Sequence, residues 1–495
     1  MNTKYILLIL IFIGFTACES DDDTTTVEPL PALSAGNADF SNFVSLGASF
    51  TAGFTDGALF MASQENSFPN ILSQQFANIG GGSLSQPLMN DNVGGLLFAG
   101  NQIANPRLFF NGAGPQVLPG VPTTEVTNVQ SGPFNNMGVP GAKSFHLLAN
   151  GYGNPAGVPV GAANPYFARM ASSANASMLE DAAAQNPTFF TLSEIGGNDV
   201  LGFATSGGLG VDQAGNFDPS TYGSNDITDP IVFAGTLDAI VTTLTSSGAK
   251  GVITSVPYVT SLPYFTTVPY NAVPLDAANA GGLNAAFAAY NGGLLAAEAA
   301  TFISSEERAA RTIVFAEGQN AVTLVDESLT DLSALGLPNY RQATANDLMV
   351  LTSSTFIGTT VGGDPTLING LSVPLADQWV LTETETQSVI NATDAFNVVI
   401  ESTATERGLA FVDLKAILQE ASTTGISFDD YNMNTSLVFG GLVSLDGVHL
   451  TARGYALMAN KFLEAIDATY GSNFIAADVV AKADNYVVQY SPELP

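Results

Sequence analysis

The chain has very few of the residues that build disulfides and histidine-rich metal sites. Its 495 residues include one cysteine, Cys18, and two histidines, His146 and His449. A single cysteine excludes an intrachain disulfide, and one cysteine with two distant histidines argues against a zinc hydrolase. Any histidine chemistry must therefore use His146 or His449.

Positive charge is also scarce. Lys and Arg number 13 against 45 Asp and Glu, which gives a net charge of -32. A nucleic-acid-binding surface needs a basic stripe, and docking on anionic lipid needs clustered Lys and Arg, so both are disfavoured. We interpret the acidity as a source of solubility. The hydrophobic content of 46% is that of a folded chain, and the length suffices for one large domain.

The start of the chain is predicted to be a targeting segment. Lys4 precedes an apolar run, residues 5–15, which is too short to span a bilayer. The ending Phe15-Thr16-Ala17-Cys18 resembles the lipobox of bacterial lipoproteins. That resemblance implies a signal peptide over 1–17, cleavage before Cys18 and lipidation of its thiol. The alternative is an ordinary secretory signal followed by an unrelated cysteine.

An acidic segment follows the cysteine. Residues 19–23 read Glu-Ser-Asp-Asp-Asp and are similar to the export signal of surface-exposed lipoproteins in Bacteroidetes-type bacteria. Residues 18–40 hold too little apolar surface to fold and are predicted to be a lipidated tether. We therefore expect an outer-membrane lipoprotein of the cell envelope, anchored through Cys18 and possessing a soluble domain.

After the tether, β-rich apolar runs alternate with helical patterns. This alternation predicts an α/β domain with a mostly parallel sheet, over residues 41–472. The main predicted strands are 43–46, 188–195, 250–258 and 409–414, and the main predicted helices are 64–76, 166–184, 231–247, 281–303, 382–405 and 452–470. Loop-rich insertions are predicted at about 78–135, 204–229 and 259–380, and a C-terminal extension at 473–495.

Three polar or glycine-containing blocks stand at predicted strand ends or turns. Ser49 follows Gly47 just after the first strand, and Asn198 follows Gly196-Gly197 after another. Ligands bind at the carboxyl ends of the strands in open α/β sheets. Gly141 ends the run Gly-Val-Pro-Gly and is predicted to open a helix, where its N–H would point at an anion. Taken alone, each block is more typical of a turn or a helix cap than of a catalytic site.

The fourth block lies near the end of the chain. Asp446 and His449 are three residues apart with Gly447 between them, and Thr451 is placed to cap the next helix. Histidine titrates near neutral pH and suits a general base, while the alternative is a capping or surface histidine. His146 is expected to be a surface or supporting residue.

Together the four blocks, in this order, resemble the SGNH or GDSL-type hydrolases. The resemblance implies a three-layer, flavodoxin-like α/β/α domain and a serine esterase or lipase without metal or cofactor. It assigns Ser49 as nucleophile, His449 as base and Asp446 as the residue that orients it. The oxyanion donors would be the backbone N–H groups of Ser49 and Gly141 and the side-chain amide of Asn198. A standard α/β-hydrolase would instead need Gly-x-Ser-x-Gly, which the chain lacks.

The first block departs from the family pattern at one position. Ala48 stands where the family's namesake motif has Asp, and alanine has no side-chain oxygen to accept hydrogen bonds from nearby loops. We therefore expect a less rigid oxyanion loop.

The predicted function is a lipid-anchored GDSL-type lipase or acylhydrolase, acting on lipid or acyl esters through an acyl-enzyme. The predicted partners are the ester substrate and, through Cys18, the membrane. Two alternatives remain at this point, a carbohydrate O-acetylesterase and a non-catalytic ligand-binding lipoprotein on the same fold.

Overall fold

A computed structural model describes residues 29–494 of the protein. Signal-peptide cleavage and lipidation at Cys18 concern residues outside this range and stay predictions. The strands are β1 (Phe43–Gly47), β2 (Leu96–Phe98), β3 (Asn101–Ala104), β4 (Leu108–Phe110), β5 (Pro115–Val117), β6 (Asn136–Gly138), β7 (Phe189–Ser193), β8 (Lys250–Thr254), β9 (Val273–Leu275), β10 (Gly318–Asn320), β11 (Thr323–Val325), β12 (Tyr340–Gln342), β13 (Leu348–Met349), β14 (Thr360–Val361), β15 (Asp364–Ile368), β16 (Val380–Leu381), β17 (Ala410–Val412), β18 (Ile426–Phe428) and β19 (Tyr431–Met433).

Helices occupy much of the remaining chain. The α-helices are α1 (Ser49–Ala52), α2 (Met61–Glu65), α3 (Phe68–Ala77), α4 (Pro165–Ala168), α5 (Met178–Ala183), α6 (Asn198–Thr205), α7 (Pro230–Thr245), α8 (Pro263–Thr266), α9 (Ala277–Ala299), α10 (Ser305–Arg311), α11 (Glu383–Arg407), α12 (Leu414–Thr423) and α13 (Ala452–Tyr470). Short 3₁₀ helices lie at Ser144–Leu148, Pro155–Val160, Pro219–Thr221, Val259–Ser261, Ser333–Leu335, Leu351–Thr355, Asp377–Trp379 and Ala483–Asn485.

A parallel sheet of five strands forms the centre of the fold. Its spatial order is β17-β8-β7-β1-β6, and every neighbouring pair is parallel. Numbered by position in the chain, that order is 2-1-3-4-5, the order of flavodoxin-like sheets. The predicted α/β class with a parallel sheet is confirmed, and the sheet is compatible with a flavodoxin-like fold.

Helices cover both faces of the sheet, so its strands are buried on both sides. Successive side chains of a strand point to opposite faces, so Val44 and Leu46 join one core while Phe43 joins the other. The first core includes residues of α7 and α11, and the second includes residues of α3 and α13. Nearly continuous apolar strands are what a doubly covered parallel sheet requires.

Several helix predictions agree with the structure, and the one over residues 166–184 is wrong. The predicted helix 452–470 matches α13, and the Thr451 hydroxyl caps it by accepting from the Gly454 N–H at 2.9 Å. The continuous helix predicted over 166–184 is instead α4 and α5, which an irregular segment separates. The polar Ser172 accounts for the break, since its N–H and hydroxyl both donate to the Asp181 carboxylate outside any helical pattern.

The predicted insertion 259–380 has a core of its own. Helix α9 packs against short strands and loops of the same segment, through the apolar residues Ala280, Leu283, Phe287, Tyr290, Leu294, Ala297, Ile303, Ile313, Phe315, Leu332, Leu337 and Leu371. The insertion also contacts the turn that holds Asp446 and His449, where the Tyr264 N–H donates to the Gly447 carbonyl at 3.0 Å. The 78–135 segment contains the antiparallel pairs β2–β3 and β4–β5.

The two ends of the described chain both lie against the domain. Leu33 and Ala35 pack on the core, and the Asn37 N–H donates to the Tyr470 carbonyl at 2.8 Å. Packing therefore begins near residue 33, earlier than the predicted tether boundary at 40. In the predicted C-terminal extension, Phe474 is buried and Tyr490 packs edge-on against a core phenylalanine. Between residues 29 and 494, no helix combines the length and hydropathy needed to cross a membrane.

Candidate active site

Ser49 lies at the carboxyl end of β1, as the sequence predicts. It is the first residue of α1, and only 7% of its surface is exposed. Strand β1 lies between β6 and β7. The next strand of this sheet along the chain, β6, is on one side of β1, and the strands that follow, β7, β8 and β17, are on the other side. This is the topological switch point, where open α/β sheets form their ligand-binding crevice.

Asp446 and His449 form a hydrogen-bonded pair. His449 Nδ1 lies 2.9 Å from Asp446 Oδ2. Asp446 Oδ1 accepts the backbone N–H groups of Val448 and His449 at 2.9 and 2.8 Å, which closes the turn between the two residues. Gly447 has φ of +75° in this turn, a conformation that glycine adopts without strain.

The Asp446 carboxylate has further donors that keep it ionised. The Gly57 N–H donates to Oδ2 at 2.8 Å, and the Ser444 hydroxyl donates to Oδ1 at 3.0 Å. Burial by itself raises the pKa of Asp446, but the charge and hydrogen bonds of His449 and the backbone donors outweigh it, so the pKa lies well below its usual range. An ionised carboxylate only accepts hydrogen bonds, so Nδ1 of His449 carries the proton and Nε2 is left as a base.

Two aromatic rings connect the Ser49 turn with His449. The rings of Phe50 and Phe54 have centroids 5.8 and 4.6 Å from that of His449. Val448, next to His449, lines the same cavity as Ser49. Within residues 29–494, no direct hydrogen bond joins the Ser49 hydroxyl to the His449 ring. Catalytic hydrogen bonds are often long without substrate and tighten in the substrate complex.

The three predicted oxyanion donors all have an N–H available. Within the described chain, the backbone N–H groups of Ser49 and Gly141 donate to no protein acceptor. Asn198 uses one amide hydrogen to donate to the Ala142 carbonyl at 2.9 Å, which leaves the second free. Ser49 and Asn198 are buried and half-buried and line one cavity, and donors in such positions are usually paired, so their available N–H groups indicate an anion-binding role. Gly141 is exposed and does not line this cavity, so its part in the site stays a prediction from the sequence.

Gly141 reaches the site by strand pairing and not by a helix start. β6 pairs with β1, and the Val139 N–H just beyond it donates to the Gly47 carbonyl at 3.1 Å. The helix predicted to open at Gly141 is wrong, because the 3₁₀ helix begins at Ser144. Gly141 instead occupies a turn with φ of +80°.

Asn198→Ala tests the oxyanion assignment. The substitution removes one donor, and we expect kcat for ester hydrolysis to fall by about 10²–10³-fold with little change in KM. Steady-state kinetics on p-nitrophenyl butyrate measures this. Asn391→Ala, at an exposed position of α11, is the matched control and should retain full activity. A loss confined to KM would contradict the assignment.

Sequence reasoning missed Glu194, which lies at the end of β7. Its Oε1 accepts the backbone N–H groups of Ala48, Phe50 and Thr51 at 2.8, 2.9 and 3.2 Å. The Ser49 turn is therefore held by the Glu194 carboxyl group even though Ala48 offers none. We expected a less rigid oxyanion loop from Ala48, and these three hydrogen bonds correct that expectation. No local pattern identifies the contact, because Glu194 is 146 residues from Ala48 in the chain.

His146 has a supporting position, in agreement with the expectation. Its Nδ1 accepts the Lys143 N–H at 3.0 Å, and its ring stacks on Tyr152 with centroids 4.3 Å apart. Burial, together with the charge of Lys143, lowers the pKa of His146 to about 4. Asp199, next to Asn198, is fully buried and accepts from the N–H and hydroxyl of Ser144.

The described residues contain one group of three carboxylates with the spacing of a cation site. Glu327, Asp377 and Glu385 have ligand oxygens within 4.8 Å of one another. Burial first, then the charges of Glu385 and Glu327, raise the pKa of Asp377 to about 7. Glu385 already accepts from the N–H and hydroxyl of Thr382 as a helix cap. The group belongs to the insertion and the start of α11, and none of its members lines the Ser49 cavity.

The surroundings of Ser49 are apolar. The cavity that contains it is lined by Ser49, Phe50, Glu194, Gly197, Asn198, Leu201, Pro257, Val259, Leu262 and Val448. A second, narrow groove, of about 50 Å³, shares four of these residues and extends away from Ser49 along α12 and α13. Its lining is Phe50, Pro257, Leu262, Leu414, Ile417, Leu418, Leu442, Val443, Val448, Leu450, Gly454, Leu457, Met458 and Lys461.

A larger cavity lies elsewhere in the described chain. Its volume is about 930 Å³, and residues 129–135, 170–172 and 184–185 form most of its wall. None of the predicted site residues lines it. Ser49 and Asn198 line the smaller Ser49 cavity instead.

Comparison with known proteins gives no relative: no family model matches the chain, and neither a curated protein nor a solved structure matches it. The likeness to SGNH hydrolases therefore depends on the four motif blocks and on the arrangement of their residues.

Proposed function

We propose that the protein is a serine ester hydrolase that works through an acyl-enzyme. The observation that carries this proposal is the arrangement at the sheet switch point. Ser49 lies at the start of α1, and the ring of Phe50 beside it contacts the ring of His449, which is hydrogen-bonded to Asp446. Two available N–H donors, the backbone of Ser49 and the amide of Asn198, lie at the same cavity. A nucleophile, a base with its orienting acid, and a set of oxyanion donors are the parts that acyl transfer requires.

In the first half of the reaction, His449 Nε2 takes the proton of the Ser49 hydroxyl as Oγ bonds to the ester carbon. The carbonyl electron pair moves to oxygen, and the N–H groups of Ser49, Gly141 and Asn198 stabilise the resulting oxyanion. The intermediate then collapses, the bond from carbon to the alcohol oxygen breaks, and His449 gives its proton to the departing alcohol. Asp446 stabilises the imidazolium throughout.

In the second half, water replaces the alcohol. His449 takes a proton from a water molecule as the water oxygen bonds to the acyl carbon. The new oxyanion collapses, the bond from carbon to Ser49 Oγ breaks, and the proton passes from His449 to Ser49. The products are a carboxylic acid and the free enzyme.

The apolar lining favours an acyl chain over a polar sugar. Leu201, Val259 and Leu262 face the Ser49 cavity, and the neighbouring groove continues with aliphatic side chains. Burying each CH₂ of a chain contributes about 0.8 kcal/mol. A lipid or other acyl ester is therefore the proposed substrate, and a carbohydrate O-acetylesterase is the alternative.

The lipid anchor on Cys18 and the outer-membrane location remain proposals from the sequence. A tethered enzyme of this kind would act on esters at the cell envelope. The non-catalytic alternative, a binding lipoprotein, needs no base, and the hydrogen-bonded Asp446–His449 pair favours the enzyme over it.

The function is tested on the chain from residue 19 onward, with p-nitrophenyl esters from acetyl to palmitoyl. We expect turnover that rises with chain length from acetyl toward the medium chains. A maximum at acetyl would favour the carbohydrate esterase instead. Absence of turnover on every ester would contradict the proposal.

Ile417→Asp tests the groove as the acyl-chain site. A carboxylate on this half-buried residue of α12 places charge in the groove, so kcat/KM for a decanoyl ester should fall about 10-fold or more. Hydrolysis of the acetyl ester should change by less than about 2-fold, because the short chain does not reach the groove. Ile475→Asp, on an exposed isoleucine of the C-terminal segment, is the control. Equal losses on both esters would contradict the groove assignment.

A further inference from the structure

Glu194 is a buried carboxyl group that the reaction itself does not use. It is buried beside the Ser49 cavity, and its Oε1 accepts three backbone N–H groups of the Ser49 turn, those of Ala48, Phe50 and Thr51. The first N–H groups of a helix have no partner within the helix, and a side chain of the preceding residue usually accepts them. Ala48 stands at that position and makes no side-chain cap. Glu194 therefore caps α1 from a different strand.

The Glu194 contacts leave one N–H of the turn available. The carboxyl group takes the N–H groups of Ala48, Phe50 and Thr51 but not that of Ser49. Within residues 29–494, the Ser49 N–H donates to no protein acceptor. The cap thus fixes the backbone on both sides of Ser49 while its N–H stays available as an oxyanion donor.

Glu194 also connects the serine turn with the asparagine turn. Its N–H donates to the Thr254 hydroxyl on β8 at 3.0 Å, and its carbonyl accepts the Gly197 N–H at 2.9 Å. Asn198 follows directly and begins α6. Glu194 has φ of +48°, which is unusual for a residue with a side chain. Such conformations cluster at functional sites, where the surroundings hold them.

We propose that Glu194 is the positioning residue of the site, which holds the Ser49 nucleophile turn and the Asn198 oxyanion donor in register through its side chain and backbone. This inference depends on the proposed ester hydrolysis for its kinetic consequences. The positioning itself consists of hydrogen bonds, so hydrogen exchange of the bonded amides can measure it without any catalytic activity.

Protonation of Glu194 should weaken the hold on the turn. Burial raises the pKa of Glu194 to about 7, against the hydrogen bonds that lower it. Tyr455 of α13 is an ionisable group near it, and burial first, then the charges of Glu194 and Asp446, raise the pKa of that phenol. Hydrogen bonds to an ionised acceptor are about twice as strong as those to a neutral one. Activity should therefore decrease as pH falls through about 7.

The test compares Glu194→Gln and Glu194→Ala by amide hydrogen exchange and kinetics. In Glu194→Ala, the amides of residues 48, 50 and 51 should exchange at least about 10-fold faster, and kcat should fall about 10²-fold with KM within 3-fold. Glu194→Gln keeps an oxygen acceptor and should recover most of the loss. It should also have a shallower acid limb in its pH profile than the wild type. Glu385→Gln, which replaces a helix-capping glutamate outside the site, is the control.

Stability gives a readout that an ordinary structural residue would not produce. The folded-state pKa of Glu194 is raised, so its ionisation opposes folding as pH rises from about 4.5 to 7. Glu194→Gln should therefore have a Tm at pH 8 at least equal to that of the wild type, despite its lower activity.

Two results would overturn the inference: unchanged exchange at residues 48, 50 and 51 in Glu194→Ala, or loss of Tm and activity in parallel in Glu194→Gln. If exchange rises as expected but the wild type hydrolyses no ester, the positioning is supported and the proposed function fails. The two failures are therefore distinguishable.

Discussion

Ser49→Ala is expected to lower kcat/KM for p-nitrophenyl esters by about 10⁴-fold or more, because the variant has no nucleophile to form the acyl-enzyme. Folding should be unaffected. The Ser49 hydroxyl makes no hydrogen bond within the described chain, so Tm should stay within about 2 °C of the wild type.

The control for this variant is Ser173→Ala, at an exposed position in the segment between α4 and α5. It should have full activity. Retention of more than about a tenth of the activity in Ser49→Ala would show that another group performs the reaction, since removal of a catalytic serine leaves only the contribution of binding and oxyanion stabilisation.

Asp446→Asn is the second variant for which we expect a large effect. An amide cannot hold His449 in the tautomer that leaves Nε2 free, so kcat should fall by about 10³–10⁴-fold. Stability should also fall. Both carboxylate oxygens accept hydrogen bonds, among them the Gly57 and Val448 N–H groups, and an amide NH₂ at either oxygen position would face donors.

The loss of stability in Asp446→Asn should depend on pH. The folded-state pKa of Asp446 is depressed below its usual value of 3.8, so the carboxylate stabilises the fold above that value and this stabilisation disappears as pH falls. Urea unfolding at pH 8 and at about pH 2.5, below the usual value, measures the difference between variant and wild type, which should be smaller at the acid pH. Asp331→Asn, on an exposed aspartate, is the control. A difference that grows toward acid pH would contradict the assigned ionisation state.

The parts of the fold that the sequence predicts are those with a local pattern. The strands β1, β7, β8 and β17 are apolar and lie within the predicted runs, so their parallel arrangement and the position of Ser49 follow. Strand β6 was not predicted, because Asn136, Met137 and Gly138 have no β-rich pattern. Its three residues form a strand only by pairing with β1.

In the candidate site, too, the residues that the sequence predicts are those in local motifs. Ser49, Asn198 and the Asp446–His449 turn are marked by short motifs, and the structure brings them to the edge of one sheet. Glu194 could not be predicted, since its three acceptor contacts join segments far apart in the chain. The separate core of the 259–380 insertion was also missed, because it is assembled from one helix and many short strands and loops.

Covalent labelling tests most directly whether Ser49 is an activated nucleophile. The chain from residue 19 onward is incubated with a fluorophosphonate and digested, and the modified residue is mapped by mass spectrometry. We expect a single stoichiometric adduct on Ser49, which is lost in Ser49→Ala and strongly slowed in His449→Ala. No adduct, or an adduct on a different serine, would contradict this assignment.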